Sequence, residues 1–188
     1  MKICDHPIIV VGFEVSLLVL SFFYLLTHLS PSNFSQWPLA LAVGNLLGII
    51  TFCLTFFFVS RFQFARDNMF QYHRHYLFAS PLTKTASCLV VPIAEEIFFR
   101  GLIFSFLGFF PSLFLFIFVH LLRLDNKIAT AASVLLCGLS FHLSYYLTGS
   151  LLAPIIAHMV FTFLRIFIFP EYIKSHPQYF SDLTLALA

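Results

Sequence analysis

The chain has 188 residues, about the length of one domain, of which 60% are hydrophobic and only 10% charged. A soluble domain carries roughly 25% charged residues, and 27 phenylalanines are more than one aqueous core of this size can hide, so the composition excludes an ordinary soluble domain and suits a bilayer. The formal charge of +2 gives no basic signal for nucleic acid, and Cys4, Cys53, Cys88 and Cys137 show no CxxC spacing and read as small apolar residues.

Lys2 gives the N-terminus a weak positive start. The apolar run 8–26 that follows is too long for the core of a signal peptide, and no A-x-A site comes after it. It reads as a retained transmembrane helix over 8–29. Further apolar segments of bilayer length predict helices over 37–60, 85–109, 111–123, 128–148 and 150–169. The fold class is therefore an all-α, polytopic membrane bundle of about six helices. The fourth segment is short, as in a helix that is tilted, partly re-entrant or shielded by neighbours. Pro111 suits its first turn, and Gly149 suits the break between the last two helices.

The connection 61–84 carries Arg61, Arg66, Arg74 and Lys84 against Asp67, and the one around Arg123, Asp125 and Lys127 is mildly basic. The connections at 30–36, near 110 and near 149 carry no charge. The positive-inside rule places the two basic loops, and with six spans both termini, in the cytoplasm; for a bacterial chain the membrane is the cytoplasmic one. The 61–84 loop mixes aromatic and basic residues, as in a helix lying in the headgroup interface. The expected organisation is a single membrane domain: two helices and this loop over 1–84, a core over 85–169, and a cytoplasmic tail over 170–188.

An ionisable residue within a membrane span is a functional-site hypothesis by default. The candidates are Glu14, Glu95, Glu96, Arg100, His120, His142, His158 and Arg165. Glu95 lies about 15 Å into the third span, His120 about 13 Å into the fourth and His158 about 12 Å into the sixth. In a hydrocarbon core about 30 Å thick, all three lie near the midplane. A shared site accounts for that coincidence of depth.

Glu96 and Arg100 are spaced i, i+4 and can pair on one helix face. Glu95 points about 100° away, and Phe99 occupies its i+4 position, so Glu95 is the carboxylate left for chemistry. A carboxylate with two histidines at one depth fits activation of a water by general base catalysis, with a histidine donating to the developing oxyanion. The same three residues are also zinc ligands by type, and with no H-E-x-x-H run the spacing leaves both chemistries open.

The ordered set resembles the CPBP family of intramembrane proteases, the family of the type II CAAX prenyl endopeptidases, also called abortive-infection (Abi) proteins. "EEIFFR" supplies Glu95, Glu96 and Arg100 of an EExxxR motif. "FIFVH" supplies Phe116 and His120 of FxxxH, and "HMVFT" supplies His158 and Thr162 at the place of HxxxN. The resemblance covers about 85–165 and includes "YYLTGSLLAPIIAH" as the approach to the third motif. His142 is not the second-motif histidine, because Gly138 stands four residues before it and too few residues follow for the next helix.

The resemblance implies that Glu95 and His120 activate a water, that His158 and the residue at 162 stabilise the oxyanion, and that Glu96, Arg100 and Phe116 support them without a catalytic metal. The substrate class it implies is a membrane-embedded or lipidated polypeptide. The departure is Thr162, whose hydroxyl offers one shorter hydrogen bond where the family has asparagine; losing an oxyanion donor costs about 3–4 kcal/mol.

Outside this set, His142 is expected to bond across helices, Glu14 to line a polar seam and Arg165 to snorkel. Asn126 fits a turn. Two further functional readings compete with the protease. One is a non-catalytic scaffold or bacteriocin-immunity protein on the same fold, which Thr162 favours. The other is a small transporter, which the lack of repeat symmetry disfavours.

Overall fold

The computed structural model describes residues 36–77, 79–121 and 127–176, together with Ser16, Leu17, Val19 and Phe23. The expected first span, with Glu14, and residues 122–126 and 177–188 thus lie outside the described residues or nearly so. What is described is helical: α1 (Trp37–Arg61), α2 (Gln63–Leu77), α3 (Pro81–Glu96), α4 (Phe109–Leu121), α5 (Lys127–Thr148) and α6 (Leu152–Ser175). The helix of α3 does not stop at Glu96. It runs on as a π-helical segment over Ile97–Ile103 and a last α turn over Phe104–Leu107.

Three of these helices are long and apolar enough to cross a membrane: Trp37–Arg61, the Ala131–Thr148 part of α5, and Leu152–Ser175. Their outer faces carry exposed large side chains such as Leu46, Phe57, Phe58, Leu143 and Phe163, and α4 adds Phe110 and Phe114. Contiguous apolar surface of this kind is unsuited to water.

Small residues bring α1 and α6 together. Gly44 and Gly48 face Ala153 and Ala157, each pair four residues apart. A Cβ on Gly44 would sit 2.7 Å from the Ala153 carbonyl oxygen, and one on Gly48 would sit 2.6 Å from that of Ala157. This is backbone-to-backbone packing by small residues, which drives helix association where lipid removes the hydrophobic contribution. Ala157 immediately precedes His158, so this close contact lies next to that histidine. Farther along α1, Thr51 meets the Ser140 hydroxyl at 2.6 Å, which joins α1 to α5.

Helix ends differ most from the sequence expectation at two places. The third span starts at Pro81 rather than 85, because Ser80 caps it by accepting from the Thr83 backbone N–H at 3.1 Å. The last helix runs on to Ser175 instead of ending at 169, so the first residues of the expected tail belong to α6. Phe169 and Ile173 are buried there against Val59, Met69 and Phe70, and burial outweighs the break that Pro170 would otherwise favour. Met69 and Phe70 come from α2, so the aromatic and basic connection does form a helix and tucks part of it against the bundle. Gly108 and Gly149 both have left-handed φ values, +80° and +62°, and mark the turns before α4 and α6.

Candidate functional site

The polar residues singled out in the sequence meet between α3, α4, α5 and α6. Two features of α3 place them. Pro92 inside the helix removes one backbone donor, and the π-helical turns follow within a few residues. Such π segments are rare and concentrate at functional sites, because the wider turn re-aims side chains. Spacing on an ideal α-helix did not foresee this, yet Glu96 and Arg100 still pair: Nη1 of Arg100 lies 3.0 Å from each carboxylate oxygen, and both residues are fully buried.

Glu95 and Glu96 turn to different partners. Oε2 of Glu95 faces Nε2 of His120 at 3.8 Å, an ion-pair distance and too long for a direct hydrogen bond. On its other side, Nδ1 of His120 lies 2.8 Å from the Phe116 carbonyl oxygen, which can only accept. The Nδ1 proton is therefore fixed, and in the neutral ring the Nε2 lone pair faces Glu95.

His158 enters the site from α6. Its Nδ1 meets Oε1 of Glu96 at 2.7 Å. Glu96 is thus held from two sides, by Arg100 and by His158, and is more than a neutralising partner for the arginine. Thr162, one turn after His158, is 3% exposed, and its hydroxyl has no hydrogen-bond partner among the described residues.

Aromatic rings hold these groups in place. The Phe116 ring lies 4.4 Å from the Arg100 guanidinium carbon and 4.4 Å from the His120 ring, so one phenylalanine touches both. This gives a physical reason for a phenylalanine four residues before His120: a cation–π contact on buried arginine is worth about 2 kcal/mol. Phe141 stacks on His158 at 4.6 Å and 20°, and also lies 5.6 Å from the guanidinium carbon.

Sequence reasoning missed Phe141, since one phenylalanine among 27 carries no signal. It also missed Ser112, whose buried hydroxyl donates to the Phe99 carbonyl at 2.7 Å and ties α4 to the π segment. His142 does bond across helices, to Arg100. Arg165, expected to snorkel, turns its guanidinium over the Phe161 ring at 5.0 Å.

Among the described residues, no group of three His, Cys, Asp or Glu side chains is placed to hold a metal ion.

A bundle of apolar helices enclosing two carboxylates, two histidines and an arginine defines a membrane-type helical bundle with a buried polar site. Residues 78–164 match the family described as type II CAAX prenyl endopeptidase Rce1-like. The matched stretch contains every residue of the site. No curated protein and no solved structure matches the chain. The three long apolar helices and this family likeness support an integral membrane protein.

Proposed function

We propose that the protein is an intramembrane endopeptidase that hydrolyses a peptide bond in a membrane-embedded or lipidated polypeptide, using a water activated by Glu95 and His120. The observation that carries this reading is the pair itself. Two acceptors, Oε2 of Glu95 and Nε2 of His120, face each other across 3.8 Å. A water bridging them would donate one hydrogen to each, leaving an oxygen lone pair for the scissile carbonyl. As that oxygen attacks, Glu95 takes the proton and later passes it to the leaving amine.

The oxyanion falls to the α6 side. Nδ1 of His158 is occupied by Glu96, so donation to an oxyanion comes from Nε2–H. Arg100 holds the Glu96 carboxyl group from its other side. The buried Thr162 hydroxyl supplies a second donor. No step is routed through a metal.

For the substrate, a cleft of about 290 Å³ opens between α3 and α6. Cys88, Leu89, Met159, Val160, Phe163 and Phe167 are among the residues lining it. Its apolar lining suits an apolar chain, which favours a lipidated polypeptide of the kind named by the family.

The test is cleavage in reconstituted membranes by the Glu95→Gln variant. Loss of product supports the reading, and undiminished product contradicts it. Thr162 at the place of the family asparagine favours a second reading, a non-catalytic scaffold or immunity protein on this fold. Absence of cleavage by both the natural protein and Thr162→Asn would select it.

A further inference from the structure

His142 stands outside the three motifs, yet it is fully buried and touches the site. Its Nδ1 lies 3.1 Å from Nη2 of Arg100 and 2.8 Å from the Gly138 carbonyl oxygen one turn back. The same Nη2 donates to that carbonyl at 3.4 Å. Guanidinium hydrogens only donate. With no proton on Nδ1, the ring accepts from Nη2. With one, the ring donates to Gly138, whose carbonyl takes Nη2 on its second lone pair. In either tautomer, ring, carbonyl and guanidinium form one cluster.

The other ring nitrogen tells against a packing role. Nε2 is buried with no hydrogen-bond partner among the described residues, behind the rings of Phe109 at 5.0 Å and Phe104 at 6.0 Å. An unpaired buried polar atom is destabilising. An apolar side chain of similar size would fill this place without that penalty. The penalty is sustained at a residue whose polar edge meets Arg100.

We propose that His142 is a positioning residue for the reaction, fixing Arg100, and through it Glu96 and the ring of His158. The line runs from α5 to α6 in three contacts of 3.1, 3.0 and 2.7 Å. Without its outer anchor the guanidinium can rotate, and Glu96 and His158 move with it. A misplacement of about 1 Å near the reacting centre can cost on the order of 100-fold in rate. The catalytic part of this proposal rests on the protease reading; the structural part does not.

The test uses the full chain in lipid nanodiscs and an internally quenched peptide with a farnesylated cysteine four residues from its C-terminus. H142L is expected to remain folded by thermal unfolding, with kcat down at least tenfold and KM within threefold of the natural protein. H142N, whose amide oxygen can stand near the place of Nδ1, is expected to recover most of the loss. A second readout is the ¹⁵N spectrum of His158, assigned with H158Q. Its Nδ1 signal is expected to shift in H142L and return in H142N. Unchanged kcat with an unchanged His158 signal overturns the proposal, as does a change confined to KM. If the natural protein cleaves no peptide, the protease reading fails and the spectra alone decide: a moved signal upholds positioning by His142, an unmoved one overturns it. Should H142L not fold, H142M takes its place under the same criteria.

Discussion

The Nδ1 of His158 and Oε1 of Glu96 meet at 2.7 Å across 62 positions of sequence, and Arg100 grips the same carboxylate from its other side. Glu96 is thus the joint between α3 and α6. A buried charge that loses its partner costs about 3–5 kcal/mol. Glu96→Leu strips the partner from Arg100 and should lower stability by about that amount, read as the thermal midpoint in detergent. Glu96→Gln, which keeps an acceptor for His158, should lose less stability. A Leu variant as stable as the natural protein would show that the joint carries no energy.

Phe116 touches Arg100 and His120 with one ring. Phe116→Leu keeps an apolar side chain and removes the aromatic face. Turnover should fall about tenfold, equal to roughly 1.4 kcal/mol, with stability lowered by about 1–2 kcal/mol from the lost cation–π contact. Phe116→Tyr, which keeps the face, should lie closer to the natural protein. Equal turnover in the Leu and Tyr variants would separate the ring from the chemistry.

The α1–α6 contact predicts an effect far from the charged groups. A Cβ on Gly48 would stand 2.6 Å from the Ala157 carbonyl, and helix backbone cannot yield as a flexible side chain can. Gly48→Ala should cost about 1–3 kcal/mol, and Gly48→Leu more. Both are expected to reduce turnover as well, because α6 carries His158. Melting curves with parallel cleavage assays check this, and an Ala variant with unchanged melting would contradict the close packing.

Much of this arrangement was legible in the sequence, and the parts that were not share a cause. The span 37–60 emerges as Trp37–Arg61 because a long apolar run between charged or turn residues has few alternatives. Glu95 and His120 could be brought together from depth alone, since helical rise converts residue number into position across a bilayer. Depth says nothing about rotation around each helix. Whether His158 turned to Glu95 or Glu96 depended on how α6 is rotated against α3, which no residue pattern announces. His142 was expected to bond across helices, but its choice of Arg100 needed the angle between α3 and α5. The extension of α6 past Pro170 was missed because burial of Phe169 and Ile173 against α2 is a tertiary effect.

Thr162 stands at the asparagine place of the HxxxN motif that this segment resembles, with its hydroxyl buried and without a hydrogen-bond partner among the described residues. Thr162→Asn should raise kcat by roughly tenfold or more, as expected for a better oxyanion donor, with little change in KM. Thr162→Val keeps the shape and removes the hydroxyl, and should lower kcat. A Val variant with natural turnover would remove Thr162 from the reaction. A zinc chelator added to the same assay should leave turnover unchanged, and inhibition reversed specifically by zinc would replace the metal-free scheme.

The central claim is that Glu95, facing His120 across 3.8 Å, activates the water that cuts a membrane-bound polypeptide. The most direct measurement compares product release by the natural protein and by Glu95→Gln in proteoliposomes, with both shown to be folded. The account predicts cleavage by the natural protein and a loss of at least a thousandfold, about 4 kcal/mol, in the variant. Equal product from the two would contradict it.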